Sequence, residues 1–214
     1  MFRRRPRLKL LSERLILRLP DMADHAEWVM LRENSTEFLE RWEPVRASEQ
    51  TSRRSFRNRV YWAERSLEQD RAVPLFLTLR ATGTLLGGIT LDNIRRGPSQ
   101  AATVGYWIGA QHARHGYMRE ALQSVVRYAF SDLGLSRIEA ATLPENAPSR
   151  GLLESTGFKY EGVAQSYLQI AGRWRTHVLY ANLRSDRRGR VEGASAGAHA
   201  PSAPPASGFP RLSG

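Results

Sequence analysis

The stretch Tyr106-Trp107-Ile108-Gly109-Ala110-Gln111-His112-Ala113-Arg114-His115-Gly116-Tyr117-Met118-Arg119-Glu120 decides the fold. Residues 101–108 form a short run rich in apolar and aromatic side chains, which is typical of a strand. Residues 116–133 carry apolar side chains at helical spacing: Ala121, Leu122, Val125, Tyr128, Ala129 and Leu133. The stretch therefore predicts a strand that passes through a short loop directly into an amphipathic helix.

The start of this helix is a candidate anion site. The first turn of a helix has unpaired N–H groups and the positive end of the helix dipole, and together they bind groups such as a pyrophosphate. Gly116 would let the backbone approach the ligand closely, and Arg114 and Arg119 would add positive charge. A single glycine at a helix start is common, so the composition of the loop alone does not specify the ligand.

Strands and helices are predicted to alternate on both sides of this junction. Strands are expected at residues 13–19, 75–80, 85–94, 101–108, 137–142, 158–163 and 174–183, and helices at 21–32, 48–68, 116–133 and about 146–157. Hairpins come first, and a strand-helix-strand crossover follows. This order predicts a mixed α/β (α+β) fold with a central, mostly antiparallel sheet of about seven strands flanked by helices.

Length and composition limit the class of protein. The 214 residues contain no cysteine, which excludes disulfides, cysteine-ligated metals and a catalytic thiol. No apolar run reaches the roughly 20 residues of a membrane-spanning helix, and no apolar stretch follows the charged start, so neither a membrane span nor a secretory signal is expected. We expect a cytoplasmic protein with a basic extension at residues 1–11, one domain at 12–183 and a disordered, low-complexity tail at 184–214.

The net charge of +11 is unevenly distributed. Residues 1–9 hold five basic side chains and no acidic one, and residues 184–214 hold five basic and two acidic ones. Clustered cations attract phosphates, so the two ends of the chain are candidates for contact with RNA or the ribosome. A basic ribosome- or RNA-binding module without catalysis is therefore one hypothesis for function.

Several sequence blocks, in one order over about residues 12–183, resemble a known family. They are Phe38-Leu39-Glu40-Arg41-Trp42-Glu43-Pro44-Val45-Arg46, Val104-Gly105-Tyr106-Trp107-Ile108-Gly109, Pro144-Glu145-Asn146-Ala147-Pro148-Ser149 with Gly157-Phe158, and Tyr167-Leu168-Gln169-Ile170-Ala171-Gly172-Arg173-Trp174-Arg175-Thr176-His177. The ordered set resembles the GNAT superfamily of N-acetyltransferases, and within it the RimJ/RimL branch of ribosomal-protein alanine N-acetyltransferases.

The resemblance implies acetyl-CoA as co-substrate and no metal. It also implies a sheet splayed between the fourth and fifth strands, where the pantetheine arm pairs with the fourth strand and a backbone N–H polarises the thioester. The family loop Arg/Gln-x-x-Gly-x-Gly/Ala falls on residues 113–118, where Gly116 alone matches. The implied cofactor-binding residues are Trp107, Ile108, Gly109, Arg114, His115, Gly116, Tyr117, Met118, Arg119, Asn146 and Ser149.

The resemblance also suggests catalytic residues. Many relatives protonate the departing thiolate with a tyrosine at the position of Leu153 here, so Ser149 is our candidate for the acid. The acceptor amine must lose a proton, and the carboxylates of Glu43 and Asp92 are the candidate bases. A polypeptide α-amine has a pKa of about 7.7–8.0 against about 10.4 for lysine, so a modest base is sufficient for an N-terminal amine.

The identity of the acceptor depends on the residues that would bind it. Trp42, Tyr106, Tyr167 and Trp174 are candidate substrate-binding residues. The resemblance favours the N-terminal alanine or serine of a ribosomal protein, attacked directly in a ternary complex. A small amine or antibiotic as acceptor, and a cofactor sensor without turnover, remain alternatives, as do a monomer and a homodimer. His112 and His115 lack neighbouring carboxylates, so no metal site is expected there.

Overall fold

The computed structural model describes residues 8–45 and 49–185. Its strands are β1 (Lys9–Leu11), β2 (Leu15–Arg18), β3 (Val73–Leu79), β4 (Leu85–Arg95), β5 (Ala101–Ile108), β6 (Arg137–Thr142), β7 (Lys159–Ile170) and β8 (Arg173–Leu183). Its helices are α1 (His25–Glu33), α2 (Thr36–Leu39), α3 (Arg53–Glu68), α4 (Tyr117–Ser131) and α5 (Ala147–Ser155). Most of the two charged ends considered above lies outside the described residues.

The strands form one open sheet in the order β1-β2-β3-β4-β5-β6-β8-β7. The β5–β6 pair is parallel and the other neighbouring pairs are antiparallel. The predicted fold class is confirmed, with eight strands in place of about seven. The additional strand is β1, which pairs with β2 and lies within the segment that the sequence assigned to the N-terminal extension.

The helices begin where polar side chains cap them. Ser52 accepts a hydrogen bond from the N–H of Ser55 and starts α3, and Asn146 accepts one from Ser149 and starts α5. Each cap satisfies a backbone donor that has no partner within its helix. The predicted helix start at about residue 146 is therefore explained by the Asn146 side chain, which fixes where α5 begins beside the sheet.

The two faces of the sheet carry different hydrophobic clusters. On one face, α4 and α5 contribute Leu122, Val125 and Leu153 to the larger cluster. On the other face, Trp28 of α1 and Phe56 of α3 form the smaller cluster. Because side chains alternate along a strand, neighbouring residues of β5 join different clusters. Trp107 packs with the α1–α3 cluster, whereas Tyr106 and Ile108 pack with the α4–α5 cluster.

The sheet opens between β5 and β6. These strands pair only through Ala101–Thr103 and Arg137–Glu139, so the second half of β5 has no partner on that edge among the described residues. On its other edge β5 lies very close to β4. A Cβ on Gly87 would come within 2.3 Å of the Trp107 carbonyl oxygen, so only glycine fits there. In the described part of the chain, no helix is both long and apolar enough to cross a bilayer.

Candidate active site

The open edge of β5 offers backbone hydrogen-bond donors. The N–H of Gly109 donates to the carbonyl oxygen of Leu86 at 2.9 Å, which shows that Gly109 faces β4. Backbone groups alternate in direction along an antiparallel strand, so the N–H of Trp107 also faces β4, and those of Tyr106 and Ile108 face the gap. Of the three predicted β5 residues, Ile108 is therefore the one whose N–H can polarise a carbonyl placed between β5 and β6.

The loop before α4 presents a second set of donors. Gly116 is the N-cap of α4 in the left-handed conformation, with φ of 81°, and Arg114 is also left-handed, with φ of 64°. Within residues 8–45 and 49–185, the backbone N–H groups of residues 114–119 have no hydrogen-bond acceptor. Six consecutive N–H groups at a helix start are suited to bind an oxyanion.

The side chains around these donors divide into two groups. Arg114, His115 and Arg119 are exposed beside the loop, where they can reach an anion. Met118 is buried in the larger cluster, so its contribution is limited to its backbone. The ring of Tyr117 stacks on that of His115, with centroids 5.8 Å apart, and this contact helps to fix the shape of the loop.

Arg14, which the sequence reasoning missed, holds the loop from the side. Its guanidinium donates to the carbonyl oxygen of His115 at 3.1 Å, pairs with Glu120 at 2.8 Å and lies 4.6 Å from the Tyr117 ring centroid. Burial raises the pKa of Glu120, but the hydrogen bonds from Arg14 and Ser12 outweigh it and the net pKa is lowered. Arg14 lies between β1 and β2, far from Glu120 in sequence, so no local pattern could have identified it.

A hydroxyl pair spans the gap at the level of Tyr106. The Tyr106 phenol oxygen lies 2.9 Å from Ser149 Oγ, which joins β5 to the first turn of α5. The Asn146 cap uses only its side-chain oxygen, so its amide group is available as a donor. The structure thus brings together Tyr106, Asn146 and Ser149, and it places the Tyr106 hydroxyl against the candidate acid.

The Tyr106 phenol is expected to make stability depend on alkaline pH. Burial raises the pKa of Tyr106 to about 12, and the hydrogen bond with Ser149 offsets part of this rise. The folded chain therefore holds a proton that the unfolded chain releases above about pH 10. We expect the free energy of unfolding to fall from pH 10 towards about 12, and to fall less in Tyr106→Phe. Urea unfolding midpoints measured across this pH range test the expectation. The control is Tyr61→Phe, which changes an exposed tyrosine and whose stability should fall with pH as much as that of the wild type.

The two candidate bases lie in different places. Glu43 forms a two-pronged ion pair with Arg32, whose guanidinium lies 4.5 Å from the Trp107 ring centroid. Glu43 is thus linked to the end of β5 on the α1–α3 face. Asp92 pairs with Thr103 at the opposite end of β5, about 17 Å from Ile108 at about 3.3 Å per residue, so the structure does not bring it to the site.

The remaining aromatic candidates lie in the turn before Glu43 and in the β7–β8 hairpin, where the register of β8 turns Trp174 towards the α4–α5 face. Trp42 ends the turn before Glu43, and Tyr167 and Trp174 belong to the β7–β8 hairpin, where they are 44% and 62% exposed. The N–H of Ala171, in the turn of that hairpin, donates to the Glu43 carbonyl oxygen at 3.0 Å. The segment that contains Trp42 and Glu43 therefore meets the β7–β8 hairpin over the open part of the sheet. Among the described residues, no cluster of three potential metal ligands is found.

Comparison with known proteins identifies relatives of this arrangement. Residues 14–159 match the family model described as an acetyltransferase (GNAT) domain. The ribosomal protein uS5-alanine N-acetyltransferase of Escherichia coli (strain K12) is 32% identical over 176 residues, which are 82% of this chain and 91% of the relative. Both matches include the β5–α4 junction, and the E. coli relative extends over most of the described residues.

Solved structures agree with these sequence matches. The ribosomal-protein-S5-alanine acetyltransferase of Vibrio fischeri superposes with a TM-score of 0.78 at 26% identity, covering 84% of this chain and 98% of that one. Mycobacterium smegmatis RimJ, solved in complex with CoA-disulfide, gives a TM-score of 0.76 at 30% identity, with 82% and 84% covered. The mixed α/β fold with its open sheet is thus shared with proteins of this type.

Proposed function

Since the chain belongs to the acetyltransferase (GNAT) family and is an N-acetyltransferase, we propose that it acetylates the N-terminal α-amine of a protein, with a ribosomal protein as the leading candidate. The observation that carries the proposal is the gap between β5 and β6, where backbone N–H groups of β5 and of the junction loop have no acceptor among the described residues. An acceptor of this kind places the reaction in the cytoplasm.

The residues present fit acetyl-CoA as the acetyl donor. The N–H groups of residues 114–119 and the exposed Arg114 and Arg119 match the charge of a pyrophosphate. The amide of Asn146 and the open edge of β5 match the amides of a pantetheine arm. Bound there, the donor supplies an activated acetyl thioester, and the N–H of Ile108 stabilises negative charge on its carbonyl oxygen.

The charged side chains near the β7–β8 hairpin favour an α-amine as the acceptor. Two carboxylates near the β7–β8 hairpin are paired with arginines: Glu43 with Arg32, and Glu145 with Arg175. Polyamines, aminoglycosides and lysine side chains carry charges that need unpaired acids to hold them. Roughly a quarter to two-fifths of an α-amine is already neutral near pH 7.5, and using lysine instead would cost about 3.5 kcal/mol more at 1.36 kcal/mol per pKa unit.

The Tyr106–Ser149 hydroxyl pair is assigned to protonation of the thiolate that leaves during transfer. Because a phenol is more acidic than an alcohol, Tyr106 donates to Ser149 Oγ, and the Ser149 hydroxyl is free to donate to the departing sulfur. The amine attacks from the opposite face of the sheet, where Trp107, Arg32 and Glu43 lie. Because the amine attacks from one face of the sheet and the thiolate leaves on the other, the acetyl group can pass directly between them in a ternary complex.

An acceptor panel tests the proposal. The full chain is incubated with acetyl-CoA and peptides that start with alanine or serine, their N-acetylated forms, lysine peptides with blocked N-termini, spermidine and an aminoglycoside. We expect thiol release and a mass increase of one acetyl group with the free alanine and serine peptides only. Mass spectrometry locates the acetyl group on the α-nitrogen.

The panel also separates the alternatives. Transfer to spermidine or the aminoglycoside in preference to the peptides would replace the proposed acceptor with a small amine. Binding of acetyl-CoA with no transfer to any amine would support the cofactor-sensor alternative. The N-acetylated peptides control for hydrolysis of acetyl-CoA, since they bind like the substrates but offer no nucleophile.

A further inference from the structure

His177 is a buried titratable side chain that the steps above do not use. It lies on β8, is 3% exposed, and places Nδ1 2.9 Å from the carbonyl oxygen of Arg175. A carbonyl oxygen can only accept a hydrogen bond, so this contact assigns the hydrogen to Nδ1. In the neutral ring, Nε2 then carries the lone pair and can accept a proton.

Nε2 is also the part of the ring that solvent reaches. Among the described residues, no buried side-chain nitrogen or oxygen lacks a hydrogen-bond partner. His177 makes its hydrogen bond through Nδ1, and no contact of the described chain supplies a partner for Nε2. Nε2 therefore keeps some contact with solvent, although His177 as a whole is only 3% exposed.

The sheet register places His177 on the acceptor side of the gap. Residues paired across a sheet point to the same face, and the pairings of β5 with β6 and of β6 with β8 put His177 on the face of Trp107. Val178 pairs with Thr142, the last residue of β6, so His177 lies just beyond the end of that strand. It thus borders the part of the gap where β6 has ended.

His177 lies beside Tyr167, one of the candidate substrate-binding residues. The ring of Tyr167, from the irregular part of β7, meets the His177 ring edge-on at 5.7 Å. Along β8, the charge of Arg175 is taken up by Glu145, which precedes α5. Across the gap, Glu43 is held by Arg32. His177 Nε2 therefore lies in a region whose nearby carboxylates are each paired with an arginine.

From this placement we infer that His177 Nε2 accepts the proton of the acceptor amine during acetyl transfer. The inference rests on the proposed function and adds His177 to the candidate bases Glu43 and Asp92. As the bond from the amine nitrogen to the acetyl carbon forms and the carbon–sulfur bond breaks, one amine proton passes to Nε2. Ser149 gives its hydroxyl proton to the sulfur and regains one from solvent through Tyr106, and His177 returns its proton to water.

Two substitutions separate a proton acceptor from a structural residue. His177→Asn keeps an N–H for the Arg175 carbonyl but removes Nε2, whereas His177→Gln keeps a polar group near the position of Nε2 that is not basic. We expect kcat to fall about 100-fold in both, the lower end for general base catalysis, with KM for acetyl-CoA unchanged. If the role is structural, His177→Asn retains its kcat and His177→Gln alone loses it.

The pH dependence of kcat, compared with that of a control histidine variant, is a second test of the role of His177. In the wild type, kcat should fall on the acid side of the pH profile, because protonated Nε2 cannot accept a proton, and both variants should lack this fall. Tyr167 contacts the ring, and Arg175, two residues away on β8, is ion-paired with Glu145. His25→Gln, which preserves the contact with the Thr51 carbonyl beside Phe56, should keep the wild-type profile.

NMR of the unmodified protein tests the inference without turnover. Nitrogen-15 spectra should show hydrogen on Nδ1 and none on Nε2 at neutral pH, and a saturating peptide that starts with alanine should shift the Nε2 signal. The opposite tautomer, an unchanged signal, or wild-type kcat in both variants would each overturn the inference. If the wild-type protein acetylates no amine, the proposed function fails, and the NMR result still decides whether His177 meets the acceptor.

Discussion

Replacing Ser149 by alanine is expected to lower kcat for acetyl transfer by about 100-fold, which is typical of losing a general acid. The hydroxyl lies 2.9 Å from the Tyr106 phenol and belongs to the first turn of α5. The change leaves intact the backbone N–H that Asn146 caps, so helix and loop should keep their positions. Steady-state kinetics should show KM for acetyl-CoA almost unchanged, because the hydroxyl acts after the donor has bound.

Two further variants show whether the hydroxyls act together. Ser155→Ala removes a hydroxyl from the other end of α5, where it bonds to the Leu152 carbonyl, and should retain full activity. Tyr106→Phe should lower kcat less than Ser149→Ala, and the double variant should be no slower than Ser149→Ala alone. Additive losses would show independent roles, and a Ser149→Ala enzyme with wild-type kcat would remove Ser149 from the mechanism.

The fold was predictable because its main signals are local. The alternation of apolar runs and turns gave most strands, and the apolar stripe of residues 121–133 gave α4. The start of α5 followed from Asn146, whose side chain caps the helix. β1 was not predicted because it has only three residues, and its pairing with β2 is a tertiary contact that composition does not encode.

The site was predictable only where it depends on backbone. The junction of β5 and α4 is a property of a continuous segment, so the donors of residues 114–119 could be anticipated. Arg14, Arg32 and His177 reach the site from other elements, and their roles depend on contacts with residues far away in sequence. Asp92 was a candidate because it lies late in a strand, but the antiparallel register places it at the wrong end of β5.

Replacing Gly116 by valine is expected to weaken CoA binding by about tenfold or more. Gly116 adopts φ of 81°, a conformation that costs a non-glycine residue about 1–2 kcal/mol, and 1.4 kcal/mol corresponds to a factor of ten. Its Cβ would also meet a terminal nitrogen of Arg14 at 3.4 Å, with the valine methyl groups extending further. The loop must then shift, and the N–H groups of residues 114–119 no longer converge.

Calorimetry of CoA binding measures this loss, and KM for acetyl-CoA should rise with it while kcat at saturation changes little. Gly97→Val is the matched control, since Gly97 also has a positive φ, of 64°, but has open space around it and lies in the turn between β4 and β5. Gly97→Val should lower the free energy of unfolding about as much as Gly116→Val does, and it should leave the affinity for CoA unchanged. Equal losses of affinity in both variants would mean that general destabilisation, rather than the shape of the junction loop, controls CoA binding.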